Sequence, residues 1–125
     1  MAAAYLFGSV ARGSAGPESD VDIGIVYSDS RARAQHPRVA AELSVEIGKA
    51  LACDLIDLVD LEAQGSIFCH QVLCEGRRLY ESERDRRIDF ESGVIIRALD
   101  FRPTYELATR GKPAALRRWL RQRPA

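Results

Sequence analysis

Two aspartates one residue apart, Asp20 and Asp22, sit in the otherwise apolar run "DVDIGIVY". Val21, Ile23, Ile25 and Val26 favour an extended strand, whereas Asp is normally depleted from strands. Alternate strand residues share a face, so Val21, Ile23, Ile25 and Tyr27 make a core face and Asp20, Asp22, Gly24 and Val26 the opposite one. Two carboxylates about 4.5 Å apart repel by roughly 3–4 kcal/mol at an effective dielectric of about 20. A fold tolerates such a pair when a cation lies between them.

The segment upstream supplies a complement to that cation. Residues 3–7, "AAYLF", read as a strand, and "GSVARG" as a turn into a short helix. Gly8 lets a phosphate approach the backbone closely, the Ser9 hydroxyl can donate to a phosphate oxygen, and the helix start presents free amides to an anion. Arg12, one turn beyond Ser9, either reaches a phosphate or is a solvated surface residue.

A third acid comes from residues 53–61, "CDLIDLVDL", read as a later strand. Asp57 shares its face with Leu55, Val59 and Leu61, and a mid-strand acid among apolar neighbours is the costliest to bury alone. Asp54 and Asp60 lie nearer the strand ends on the other face, and a bulge or one-residue slip would bring Asp54 in place of Asp57. Three such carboxylates form a hard oxygen site suited to Mg²⁺, which keeps positions for water and substrate phosphates. Two ions sharing the acids could clamp the attacking and leaving oxygens of a phosphoryl or nucleotidyl transfer.

The remaining elements alternate. Residues 13–19 read as a loop by their Gly, Ser and Pro content, and residues 20–27 as the acid-bearing strand. Residues 37–52 set Val39, Leu43, Ile47 and Ala50 at helical spacing, with Pro37 suited to a first turn. Residues 65–76 suggest a helix ended by Gly76, "RRLYE" a fourth strand, and the stretch from Arg84 a final amphipathic helix that Pro103 kinks or stops. With 125 residues, 46% hydrophobic, and no repeat or linker, the expectation is one α/β domain over residues 1–125, with residues 83–125 a helical segment and tail. A small mixed sheet flanked by helices is the expected architecture.

Formal charge is zero, so no global field points to nucleic acid or an anionic membrane, and no stretch approaches the ~20 apolar residues of a membrane span. Three cysteines without CxxC spacing point to a reducing, cytoplasmic setting. "CHQVLC" offers three ligands at unsuitable spacing where structural zinc needs four, so a helix with small buried thiols is preferred. His36 and His70 default to surface or packing roles, Asp60 and Glu62 to a solvated strand end, and Ser14 and Ser19 to the loop. Trp119, in the basic tail, is either a packing anchor or an exposed contact.

Gly8-Ser9, ten residues, then Asp20-Val21-Asp22 resembles the GS-x10-DxD signature of the DNA polymerase β-type nucleotidyltransferase superfamily, with Asp57 matching its third acid. Four fixed positions match by chance about once in 10⁵ starts, too rarely for coincidence to be the first explanation. Across residues 4–81 the pattern is most similar to the minimal nucleotidyltransferases, the MntA-like antitoxins paired with HEPN-domain toxins. That resemblance implies transfer of AMP from ATP, with Mg²⁺, to a tyrosine of a HEPN ribonuclease. It also implies that Gly8 and Ser9 hold the triphosphate, Asp20 and Asp22 bind metal, and Asp57 binds metal and helps activate the acceptor hydroxyl. The family carries a helix before the first strand, whereas here that strand begins almost at Met1. The chain's start is therefore expected to be shortened, or another element to cover that face.

Two other functions compete with this expectation. One is transfer to a small molecule such as an aminoglycoside, for which the roughly forty residues after Glu81 leave little room to build a substrate domain. The other is a non-catalytic module that neutralises a toxin by contact. The final helix has one apolar stripe at Ile88, Ile95 and Leu99 and another at Phe90, Val94, Phe101 and Tyr105, which suits either a complex with the toxin or with a second copy of the chain, or a helix wrapped by its own core.

Overall fold

The computed structural model describes residues 1–13, 16 and 20–109, with only the backbone described for 101–109. Ser14, Ser19, Trp119 and the basic tail lie outside the described residues, as do the side chains of Phe101 and Tyr105. The elements are β1 (Ala3–Phe7), α1 (Gly8–Arg12), β2 (Val21–Val26), α2 (Ser30–Arg33), α3 (His36–Leu51), β3 (Ile56–Asp60), a 3₁₀ turn (Leu61–Ala63), α4 (Ser66–Glu75), β4 (Arg77–Glu81) and α5 (Arg84–Thr109). The four strands form one sheet in the order β3-β2-β1-β4. β1 runs antiparallel to both β2 and β4, while β2 and β3 are parallel. A parallel pair needs a crossover, and α2 and α3 supply it.

The strand alternation sorts the apolar residues onto both sheet faces. On one, Ala3, Tyr5, Val26 and Leu61 pack with Cys69 and Val72 of α4 and Phe90 and Val94 of α5. On the other, Ala4, Ile23, Ile25, Tyr27 and Leu58 pack against Val39, Leu43 and Ile47 of α3. The expected core face of β2 is thus buried beneath α3, and the mixed α/β architecture is as the sequence implies. Ala50 differs, being exposed. Gly48 instead brings α3 close to the following chain, since a Cβ there would lie 2.7 Å from the Cys53 carbonyl oxygen.

Three boundaries also differ from expectation. The third strand is shorter at both ends, because the Asp60 side chain accepts from the Glu62 N–H at 3.2 Å and turns Leu61–Ala63 into a 3₁₀ helix. A short α2 forms where only a polar connection was read, capped by Asp29 accepting from the Ala32 N–H at 2.8 Å. Pro103 does not stop the final helix, which continues to Thr109. Proline removes one ladder hydrogen bond and costs a helix interior about 3 kcal/mol, a local penalty within a 26-residue helix.

Asp60 is no solvated strand end. It is 9% exposed and accepts from Arg33 Nε at 3.0 Å, while Glu62 pairs with Arg86. Arg86 also donates to the Tyr27 carbonyl at 3.1 Å, so these acids tie α2 and α5 to the sheet end. His36 has a packing role, its Nδ1 lying 2.5 Å from the buried Tyr27 hydroxyl. The two stripes of α5 separate cleanly: Phe90, Val94 and Ala98 are buried, whereas Ile88, Ile95 and Leu99 face outward. Among the described residues no helix is long and apolar enough to cross a membrane.

Candidate active site

The site forms where β1 ends and β2 and β3 begin. Phe7, the last residue of β1, is the register partner of Asp22. The chain then bends at Gly8, whose φ of +76° is a left-handed conformation that side chains disfavour. The space a side chain would take there is filled, because a Cβ on Gly8 would lie 2.3 Å from Asp22 Oδ2. Glycine is therefore demanded twice at this position, by the backbone and by the carboxylate packed beneath it.

Across the parallel pair, Asp22 stands opposite Asp57 and Gly24 opposite Val59. The β2–β3 register thus sets Asp57 beside Asp22 on one face. Asp54, by contrast, precedes β3 and lines an open groove with Lys49 and Cys53. Further along the same face Leu61 covers Gly24, where a Cβ would meet the leucine side chain at 2.7 Å. The face is thus closed at Gly24 and open at Asp22, which is half-buried, while Asp20 and Asp57 are exposed.

Burial, first, and then the neighbouring charges of Asp57 and Asp20 push the Asp22 carboxyl above the usual carboxylate range, with Arg12 opposing. Three acids and one cation thus share a field around Asp22. Among the described residues, no three His, Cys, Asp or Glu side chains close around a point tightly enough to hold an ion alone. An open acid pair with a third acid nearby still fits Mg²⁺, which is commonly held by one or two carboxylates together with substrate phosphates. A bound cation would relieve the repulsion that raises Asp22.

Ser9 lies in the first turn of α1, which starts at the Gly8 bend without a side-chain cap. Arg12 closes the same short helix and leans towards α4, its Nη1 3.7 Å from Glu75 Oε2 with both side chains nearly half exposed. It is therefore neither free in solvent nor committed to the acids. Beside it, between α1 and α4, opens a cavity of about 200 Å³ lined by Phe7, Gly8, Arg12, Phe68, Gln71 and Glu75. The α4 contributors escaped the reading of the sequence. Their signal was the spacing 68, 71, 75, which puts three residues on one helix face. In "CHQVLC", Cys69 donates to the Leu61 carbonyl at 3.0 Å, while Cys74 Sγ and His70 Nε2 are 3.7 Å apart.

Residues 1–85 match the family described as polymerase beta, nucleotidyltransferase. The chain is 34% identical over 82 residues to the protein adenylyltransferase MntA of Shewanella oneidensis, a match covering 65% of this chain and 55% of that protein. The chain thus spans about half the length of the curated relative it matches. Among solved structures it is similar to a toxin–antitoxin with AMP-PNP, with a TM-score of 0.64 and 27% identity over 86% of this chain and 82% of that one. It is also similar to the tri-AMPylated Shewanella oneidensis HEPN toxin in complex with the MNT antitoxin, with a TM-score of 0.57 and 25% identity over 86% and 78%.

Proposed function

The chain belongs to the polymerase β nucleotidyltransferase family, and from that premise we propose that it is an antitoxin-type protein adenylyltransferase, acting in the cytoplasm. It transfers AMP from ATP to a tyrosine of a cognate HEPN ribonuclease toxin and depends on Mg²⁺. The observation that carries this reading is the pairing of Asp22 with Asp57 beneath a glycine bend that admits no side chain. The likeness to an adenylyltransferase, to a toxin–antitoxin with AMP-PNP and to a tri-AMPylated toxin complex supports the choice of nucleotide and acceptor.

Asp20, Asp22 and Asp57 would hold the metal, which when bound neutralises charge on the phosphates and on the leaving group. Gly8 and Ser9 take the triphosphate at the bend, and the open face above Asp22 leaves room for the acceptor. The tyrosine oxygen attacks the α-phosphorus while Asp57 accepts its proton. The bond from that phosphorus to the bridging oxygen breaks, and pyrophosphate leaves with the electron pair. Arg12, already within the field of Asp22, lies near enough to the bend to answer the phosphate charge.

Purified chain, ATP, Mg²⁺ and a candidate HEPN-domain partner are combined and followed by intact-mass spectrometry. The partner should gain AMP units, and the Asp20→Ala/Asp22→Ala chain or added EDTA should abolish the gain. Equal neutralisation of the toxin by both forms without a mass change would replace the enzyme with a binding module. Modification of an aminoglycoside and not of the protein would replace the acceptor.

A further inference from the structure

The stretch "CHQVLC" loses one of its three candidate ligands in the fold and aligns the other two. Cys69 is 2% exposed and donates to the Leu61 carbonyl at 3.0 Å, so its sulfur is committed to the core. His70 and Cys74 stand four residues apart within α4, where helical spacing puts both on one face. That face looks outward, Cys74 being exposed and His70 partly so.

The separation of the two side chains matches a metal. Cys74 Sγ lies 3.7 Å from His70 Nε2. Zinc bonds thiolate sulfur at about 2.3 Å and imidazole nitrogen at about 2.0–2.1 Å, so a tetrahedral angle at the ion sets those two atoms about 3.5 Å apart. Small turns of two accessible side chains close the difference. Sulfur with imidazole favours zinc, whereas the carboxylates around Asp22 are oxygen ligands that suit magnesium, so the two sites sort the two ions by ligand chemistry.

A structural zinc site is closed by four ligands, and one chain supplies half of them. Among the described residues no third His, Cys, Asp or Glu joins this pair. A second copy presents the same two groups on the same outward face, and a twofold axis through the ion makes a Cys₂His₂ tetrahedron from His70 and Cys74 of both copies. Each thiol gives its proton to solvent as its sulfur binds, the histidines bind neutral, and the two thiolates balance the charge of the ion.

We infer that His70 and Cys74 are one half of a zinc site that a second copy of the chain completes, a metal-dependent dimer contact on the outer face of α4. The site stands independently of the transfer proposed above.

Sedimentation of the whole chain, freed of metal and kept reduced with a phosphine, tests it as zinc is added. Zinc should double the mass, half an equivalent per chain should saturate the change, and EDTA should reverse it. Cobalt(II) in place of zinc should give the strong visible absorption of a tetrahedral ion together with a thiolate charge-transfer band. Cys74→Ser and His70→Gln should each abolish the dimer, whereas Cys53→Ser should leave it intact. In the unaltered chain, zinc should slow labelling of Cys74 by a disulfide reagent and leave the rate at Cys53 unchanged. No doubling of mass, a dimer that survives Cys74→Ser, a full equivalent of zinc per chain, or octahedral cobalt would overturn the inference. Zinc binding that appears only when a HEPN-domain protein is added would assign the missing ligands to that protein and overturn the second copy.

Discussion

At Asp22 a carboxylate is held where its own ionisation is disfavoured, and stability is given up to hold it there. Burial and the two neighbouring acids raise its pKa, so the folded chain keeps that proton at a pH where the unfolded chain has released it. Without metal, stability therefore falls as pH rises from the ordinary carboxylate range through the raised value. Asp22→Asn should melt at a higher temperature than the parent at pH 7 in EDTA, and that advantage should shrink as pH falls below the window. The same variant should lose AMP transfer and any thermal stabilisation by Mg²⁺. Differential scanning calorimetry across pH, with and without the ion, checks the sign. The proposed site residues Gly8, Ser9, Asp20 and Asp22 could be put forward from sequence because their spacing lies within one local stretch of chain. The cavity wall that α4 supplies through Phe68, Gln71 and Glu75 could not, since periodicity tells which residues share a helix face but not what that face meets.

Among the elements, the 3₁₀ turn after β3 connects architecture to site. Its Leu61 is fully buried and rests on Gly24, two residues along the strand from Asp22. Leu61→Ala should cost about 2–5 kcal/mol in urea denaturation, as for other large-to-small changes at buried leucines. A cost below 1 kcal/mol would mean that the turn does not close the sheet face as described. Alternation alone extended β3 to Leu61, because Asp60 and Leu61 continue the strand pattern. What ended it was the Asp60 carboxylate, which caps the turn and binds Arg33. That contact joins residues 27 positions apart, beyond the reach of a local pattern. The passage of α5 through Pro103 was illegible for a related reason. Proline's local cost is known from sequence, but the neighbouring turns that outweigh it are not.

Across the whole molecule, the sheet separates two cores, and the thiols report on one of them. Cys69 lies between α4, α5 and the sheet at 2% exposure, and burial pushes its thiol up to about 11. Cys53 is partly exposed and Cys74 exposed. At pH 8 a thiol-specific disulfide reagent should label Cys74 and Cys53 rapidly, and Cys69 only as fast as the molecule opens. Equal rates at all three would contradict the packing. The folded chain holds the Cys69 proton more tightly than the unfolded chain, so this thiol lowers stability as pH climbs from about 9 to about 11. The mixed α/β class was readable from the alternation of elements, whereas the strand order depended on long-range pairing.

Asp22 and Asp57 are separated by 35 positions along the chain and meet only through the β2–β3 pairing. Joining them requires closing the intervening loop through the crossover, among the slower steps in forming a small domain. A nascent chain that has made β1, α1 and β2 already possesses the signature but not yet the Asp22–Asp57 pair. If the chain acts as proposed, an antidote of this kind would be inert until its architecture is finished.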